Sequence, residues 1–221
     1  MQRNGKEIKK IQYQYENEEY IILNRCPHCN LEIYPTTDNV YTLENNSNEI
    51  NVISLTCPSC KKDYFIFNDL HNEGNNEKFL FSLPKYRFNE NSLIENTSIK
   101  FQNIYIQSIN CNLQGYSDMA FFGYIKALEI LLKDIAILEH PESEDIILFC
   151  NVIECLEQFH ATNIHLFSKK LLEVLKNDYL HYQKTDDLDM YTELVKDCIN
   201  YFLLYFELLL KTLHDRKNLE N

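Results

Sequence analysis

The chain has no tryptophan, and only four glycines and five prolines among its 221 residues. With so little glycine, turns that need left-handed backbone must use another residue. Asparagine tolerates that conformation, and there are 25 asparagines, sixteen of them in the first hundred residues. An uncharged apolar run of about eighteen residues, the minimum for a membrane-spanning helix, is also missing. The opening stretch, Met1-Gln2-Arg3-Asn4-Gly5-Lys6, leads into more charge and not into an apolar segment. No secretory leader is therefore expected, and the expected compartment is the cytoplasm. Basic clusters are scarce (Lys9-Lys10, Lys61-Lys62, Lys169-Lys170), and 21 basic against 33 acidic residues leave a net charge of −12. Phosphate attraction scales with clustered Lys and Arg. An extended nucleic-acid platform is thus excluded, and any RNA contact must be local.

What is present divides unevenly. Residues 10–110 hold short β-prone runs: Tyr20-Ile21-Ile22-Leu23, Ile50 to Leu55, Tyr64-Phe65-Ile66-Phe67 and Phe79-Leu80-Phe81. Asn-rich turns separate them. Residues 142–221 contain neither Gly nor Pro, the pattern of uninterrupted helices. The fold class read from this is α+β: a β-rich module over 1–85, a connector over 86–112, and a helical domain of about four helices over 113–221. The helices are expected at about 117–138, 143–159, 163–182 and 187–214. The last is apolar on nearly every side between Ile199 and Leu213, which predicts either a central helix or one pressed against a second subunit. A homodimer through the helical domain is the expectation.

Four of the eight cysteines form two matched pairs, Cys26-Pro27-His28-Cys29 and Cys57-Pro58-Ser59-Cys60, with 27 residues between them. In a cytosolic chain this spacing reads as metal, not disulfide. Each Cys-x-x-Cys turn aims two thiolates the same way, and two such turns complete a tetrahedron around zinc. One structural zinc per chain is expected, held by Cys26, Cys29, Cys57 and Cys60 and closed to substrate. Asn30 follows the first pair where a left-handed residue is needed. Lys61 holds the same place in the second pair and suits it less. The remaining cysteines, Cys111, Cys150, Cys155 and Cys198, read as small buried hydrophobes.

Near the end of the third expected helix stand Lys176, Asn177 and His181. Asn177 and His181 are four apart and share a helix face. A cation, an amide and an imidazole could bind phosphate and move a proton. The residues alone favour a structural reading, in which the histidine complements a helix C-terminus and Asn177 and Asp178 help end the helix.

Three stretches carry a family resemblance. They are the two Cys-Pro-x-Cys knuckles, Tyr124-Ile125-Lys126-Ala127-Leu128-Glu129-Ile130-Leu131-Leu132, and Asn177-Asp178-Tyr179-Leu180-His181. Together the chain resembles domain-of-unknown-function family 4145, bacterial proteins with a zinc ribbon ahead of a helical domain, sometimes fused to restriction or defence components. That family in turn resembles the HEPN group. The resemblance implies a dimerising helical bundle and, in active members, a metal-independent endoribonuclease. His181 would be the acid/base, Asn177 its polar partner, and Lys176 would stand where the family has Arg. Glu129 would orient Lys176 or Asn177. Lys126 and Glu129 also read as a plain ion pair on a helix surface.

Two functions compete. One is a dimeric, non-catalytic interaction module whose ribbon docks a protein partner. The other is a HEPN-type endoribonuclease acting through His181 as a toxin or defence effector. A zinc-ribbon nucleic-acid binder, with Lys61-Lys62 beside bases stacked on Tyr64, Phe65 and Phe67, is a third reading. These aromatics are expected instead to fill the ribbon core.

Overall fold

The computed structural model describes residues 8–45, 48–70, 77–84, 97–160 and 188–219. The chain is α+β, with antiparallel strands first and helices after. It divides into two units. Of the described residues, one holds the strands together with Ile109–Tyr116, and the other holds 97–108, 117–160 and 188–219.

The first unit opens with a hairpin, β1 (Lys10–Tyr15) and β2 (Glu18–Leu23). Its two-residue turn, Glu16–Asn17, has φ of 50° and 71°. Positive φ at both positions is the requirement of a tight turn that matches strand twist. A four-stranded sheet follows in the order β3 (Thr36–Asn45), β4 (Asn48–Thr56), β5 (Asp63–Leu70) and β6 (Glu77–Leu83), all antiparallel. Alternation places Ile53, Leu55, Tyr64, Ile66 and Phe79 on the inner face, where they pack with Ile22, Leu23, Cys26 and Cys57. Asn68 is fully buried, and its Nδ2 donates to the Ile21 carbonyl at 2.8 Å, stitching β5 to β2. Phe65 lies on the opposite face and is exposed, and Phe67 is half-buried. The expectation that both fill the core is therefore corrected; of that run the core takes Tyr64 and Ile66.

Helix α1 (Ile99–Leu113) occupies the second half of the stretch read as a connector and ends one residue beyond it. In the second unit α2 (Ser117–Glu139) is the central element, with eleven buried residues from Ala120 to Ala136. Ten of these recur in pairs (120/121, 124/125, 127/128, 131/132, 135/136), with Ile130 beside them, giving a stripe wide enough to contact several neighbours. A 3-10 turn (Pro141–Ser143) leads to α3 (Glu144–Phe149) and α4 (Val152–Phe159). The single helix expected over 143–159 is thus broken. Cys150 is extended, and Asn151 caps α4 by accepting from Ile153 and Glu154, while Glu154 reaches back to the Asn151 N–H. Helix α5 (Leu188–Leu219) buries Val195, Cys198, Ile199, Phe202, Leu203 and Phe206, yet leaves Leu204 and Leu208 exposed. Lys196 is buried with its Nζ 5.3 Å from the centre of the Tyr124 ring, and the Tyr205 hydroxyl donates to the Glu139 carboxylate. Both contacts tie α5 to α2. Among the described residues no helix is long and apolar enough to cross a membrane.

Candidate metal centre

The two cysteine knuckles occupy equivalent places in the strand order. One follows β2, and the other joins β4 to β5. Their backbones repeat each other. The Asn30 N–H donates to the Cys26 carbonyl at 2.9 Å, and the Lys61 N–H donates to the Cys57 carbonyl at 2.9 Å. The Cys26 N–H reaches Leu31 O and the Cys57 N–H reaches Lys62 O, each at 3.1 Å. Such a closed loop needs its last residue in left-handed backbone, and Asn30 and Lys61 have φ of 57° and 59°. Arg25 Nη1 also donates to the Asn30 carbonyl at 2.8 Å, fixing the first loop from beneath.

These loops bring four sulfurs together. Cys26 Sγ is 3.8 Å from Cys60 Sγ, Cys29 Sγ is 3.8 Å from Cys57 Sγ, and all four lie within 4.8 Å of one another. A disulfide requires about 2.05 Å, so the cysteines are unbonded. A tetrahedron with metal–sulfur bonds of about 2.3 Å has edges of about 3.8 Å. The donor set therefore fits a tetrahedral, thiophilic ion.

The surroundings act on the thiols in opposite directions. The His28 N–H points at Cys26 Sγ (3.3 Å) and the Cys60 N–H at Cys57 Sγ (3.4 Å). Burial pushes the Cys26 thiol up to about 12, against the pull of the Cys29 and His28 N–H groups. Burial also pushes Cys57 up, but the N–H groups of Cys60 and Ser59 outweigh it and leave the thiol at about 7. Cys29 is raised, chiefly by burial. Tyr64, fully buried next in β5, has its phenol driven far upward by burial first and then by the charge of Cys26 and Cys57. His28 turns away from the sulfurs; its Nε2 is 2.9 Å from the Asp63 carbonyl.

The other site residues are placed differently. Lys176, Asn177 and His181 lie outside the described residues, as does the helix expected over 163–182. Glu129 is on α2 and held twice, by Lys126 Nζ at 2.8 Å and Lys133 Nζ at 2.9 Å. Burial raises its carboxyl, but the two lysines prevail and hold it below the ordinary value. Lys133 Nζ also donates to the Leu148 carbonyl at 3.1 Å, so this carboxylate braces α2 against α3. Cys150, Cys155 and Cys198 are buried as expected, whereas Cys111 is only half-buried.

Compared with known proteins, the chain matches no family model, no curated protein and no solved structure.

Proposed function

We propose that the chain is a zinc-binding, HEPN-like interaction module of the cytoplasm, non-catalytic and dimeric through its helical unit. The observation that carries this reading is the four-cysteine cluster. Its four protein ligands leave no open coordination position for a substrate, and the cluster joins the β2–β3 and β4–β5 connections. Bound there, the ion would supply cross-linking of the two knuckles and no reaction chemistry. A net charge of −12 also supports protein over RNA as partner. The exposed pair Leu204 and Leu208, one turn apart on α5, supports dimerisation through the helices.

The test has three arms. Metal analysis of the purified chain should give one zinc per chain. Sedimentation should give a dimer that Leu204→Ser with Leu208→Ser dissociates. Incubation with RNA in EDTA should leave the RNA intact. Cleavage that persists in EDTA and disappears with His181→Ala would replace this reading by the endoribonuclease, the activity implied by the resemblance of Asn177-Asp178-Tyr179-Leu180-His181 to the HEPN motif.

A further inference from the structure

The outward side of the four-stranded sheet is aromatic. Strand pairing sets Tyr41, Val52, Phe67 and Phe81 in one row across all four strands, with Asn39, Ser54, Phe65 and Leu83 in the next. Tyr41 is 54% exposed, Leu83 45%, and Phe65 and Phe81 38% each. Phe67 stacks on Phe81 with ring centres 4.4 Å apart. An antiparallel sheet open to water ordinarily turns polar residues outward. A contiguous apolar patch on such a face marks a docking site.

Charge decides among the occupants. On this side pairing and alternation set Asp63, Asp69 and Lys78, and Asp38 reaches it from the β3 bulge through Thr56, three acidic residues against one basic. At one end of the face Thr56 Oγ1 stands 2.7 Å from Asp38 Oδ2 and 2.8 Å from Asp63 Oδ1, so two carboxylates crowd one hydroxyl. Sheets that bind single-stranded nucleic acid combine stacking aromatics with cations along the backbone track. Here the track is acidic. A second copy laid on the same face would set carboxylates against carboxylates.

We propose that this face docks a protein segment whose apolar side chains are flanked by Lys and Arg. This rests on the reading of the chain as an interaction module and names the chemistry of its partner. The apolar side chains cover Tyr41, Phe65, Phe67 and Phe81, while the cations reach Asp38 and Asp63 at the rim. Four strands about 4.8 Å apart make a face about 19 Å wide. An amphipathic helix of about 13 residues spans that width.

The experiment uses the full chain with its metal bound and three fluorescent probes. Two are peptides of about 14 residues, one with Leu and Lys at helical spacing and one with Leu and Glu. The third is oligothymidylate. The Leu/Lys peptide should bind and the other two should not. The exposed triple variant Tyr41→Ser, Phe65→Ser, Phe81→Ser should weaken peptide binding by about tenfold or more while keeping its metal. Asp38→Asn with Asp63→Asn, which leaves every aromatic in place, should flatten the salt dependence. Failure of the Leu/Lys peptide to bind, equal affinity in the triple variant, preference for oligothymidylate, or self-association lost in the triple variant would each overturn the proposal. RNA cleavage in EDTA that depends on His181 would sink the module reading by a separate assay, whatever the peptides do.

Discussion

Gly123 on α2 lies directly against the Ser108 hydroxyl on α1, so a methyl group at position 123 meets that oxygen at once. Ser108 yields only by giving up the bond its hydroxyl donates to the Ile104 carbonyl at 2.8 Å, and its Cβ would still lie 3.1 Å from the added methyl. In an ordinary helix Gly→Ala gains about 1 kcal/mol. Here overpacking reverses the sign. Gly123→Ala should lower the urea midpoint by an amount worth about 1–3 kcal/mol. Ser108→Ala removes the opposing oxygen, so the double variant should be more stable than the sum of the single effects, by about 1 kcal/mol. Strict additivity would mean that the two positions do not touch.

The second knuckle pays a conformational cost that the first does not. Lys61 has a φ of 59° although it carries a long side chain. Left-handed backbone costs an ordinary residue about 1–2 kcal/mol, and Asn or Gly much less. Lys61→Asn should therefore stabilise the first unit by about 1 kcal/mol in thermal or urea unfolding. If Lys61→Asn were destabilising, the lysine side chain would have to make a compensating contact.

Because the four sulfurs come from two separate connections, losing one disconnects both. Cys57→Ser or Cys26→Ser should abolish stoichiometric zinc and unfold the strands, since binding at such sites is worth about 10–16 kcal/mol of folding free energy. The helical signal in circular dichroism should survive. Cys198→Ala, a buried thiol of α5, should leave metal content unchanged. An N-terminal unit that stayed folded after strong chelation would remove the structural role of the ion.

His160 should make stability depend on pH. It is fully buried, its Nε2 is 3.0 Å from the Leu132 carbonyl, and its ring meets Phe202 edge-on. Burial lowers its pKa, and His140 adds to that, while the Leu132 carbonyl and Glu139 oppose it. The folded state thus binds a proton less readily than the unfolded chain, whose histidine titrates near about 6.5. The contribution is fully present above that pH and is lost as pH falls through the lower, folded value. Unfolding midpoints should drop between pH 7.5 and pH 5, and His160→Gln should flatten that slope. An unchanged slope in His160→Gln would assign the pH dependence elsewhere.

The clustering of the four cysteines was legible because its signal is spacing alone: two Cys-Pro-x-Cys turns suffice without knowledge of neighbours. Four strands were legible from runs of β-branched and aromatic residues. The strand Thr36–Asn45 was not, because Asp, Asn and Thr dilute it and its pairing with β4 decides its conformation. The run Tyr64-Phe65-Ile66-Phe67 could not disclose which ring faces the core, since all four residues are apolar and only strand pairing chooses. The break at Cys150 did leave a trace, Asn151 with Glu154 three residues later, but the apolar periodicity on either side masks it. The bracing of Glu129 by Lys133 was hidden behind the closer Lys126, as helix spacing allows both.

Both outer strands of the four-stranded sheet are interrupted. β3 shifts register around Asp38 and β6 around Leu80, whose carbonyl takes a hydrogen bond from Gln114 Nε2 at 2.8 Å. Each also carries charge, Asp38 and Glu44 on one side and Glu77 and Lys78 on the other. A long flat border would template growth of sheet from one molecule to the next. Kinked and charged borders oppose that route at both edges, so the exposed aromatics lie on a face whose own strands are poor templates for extension.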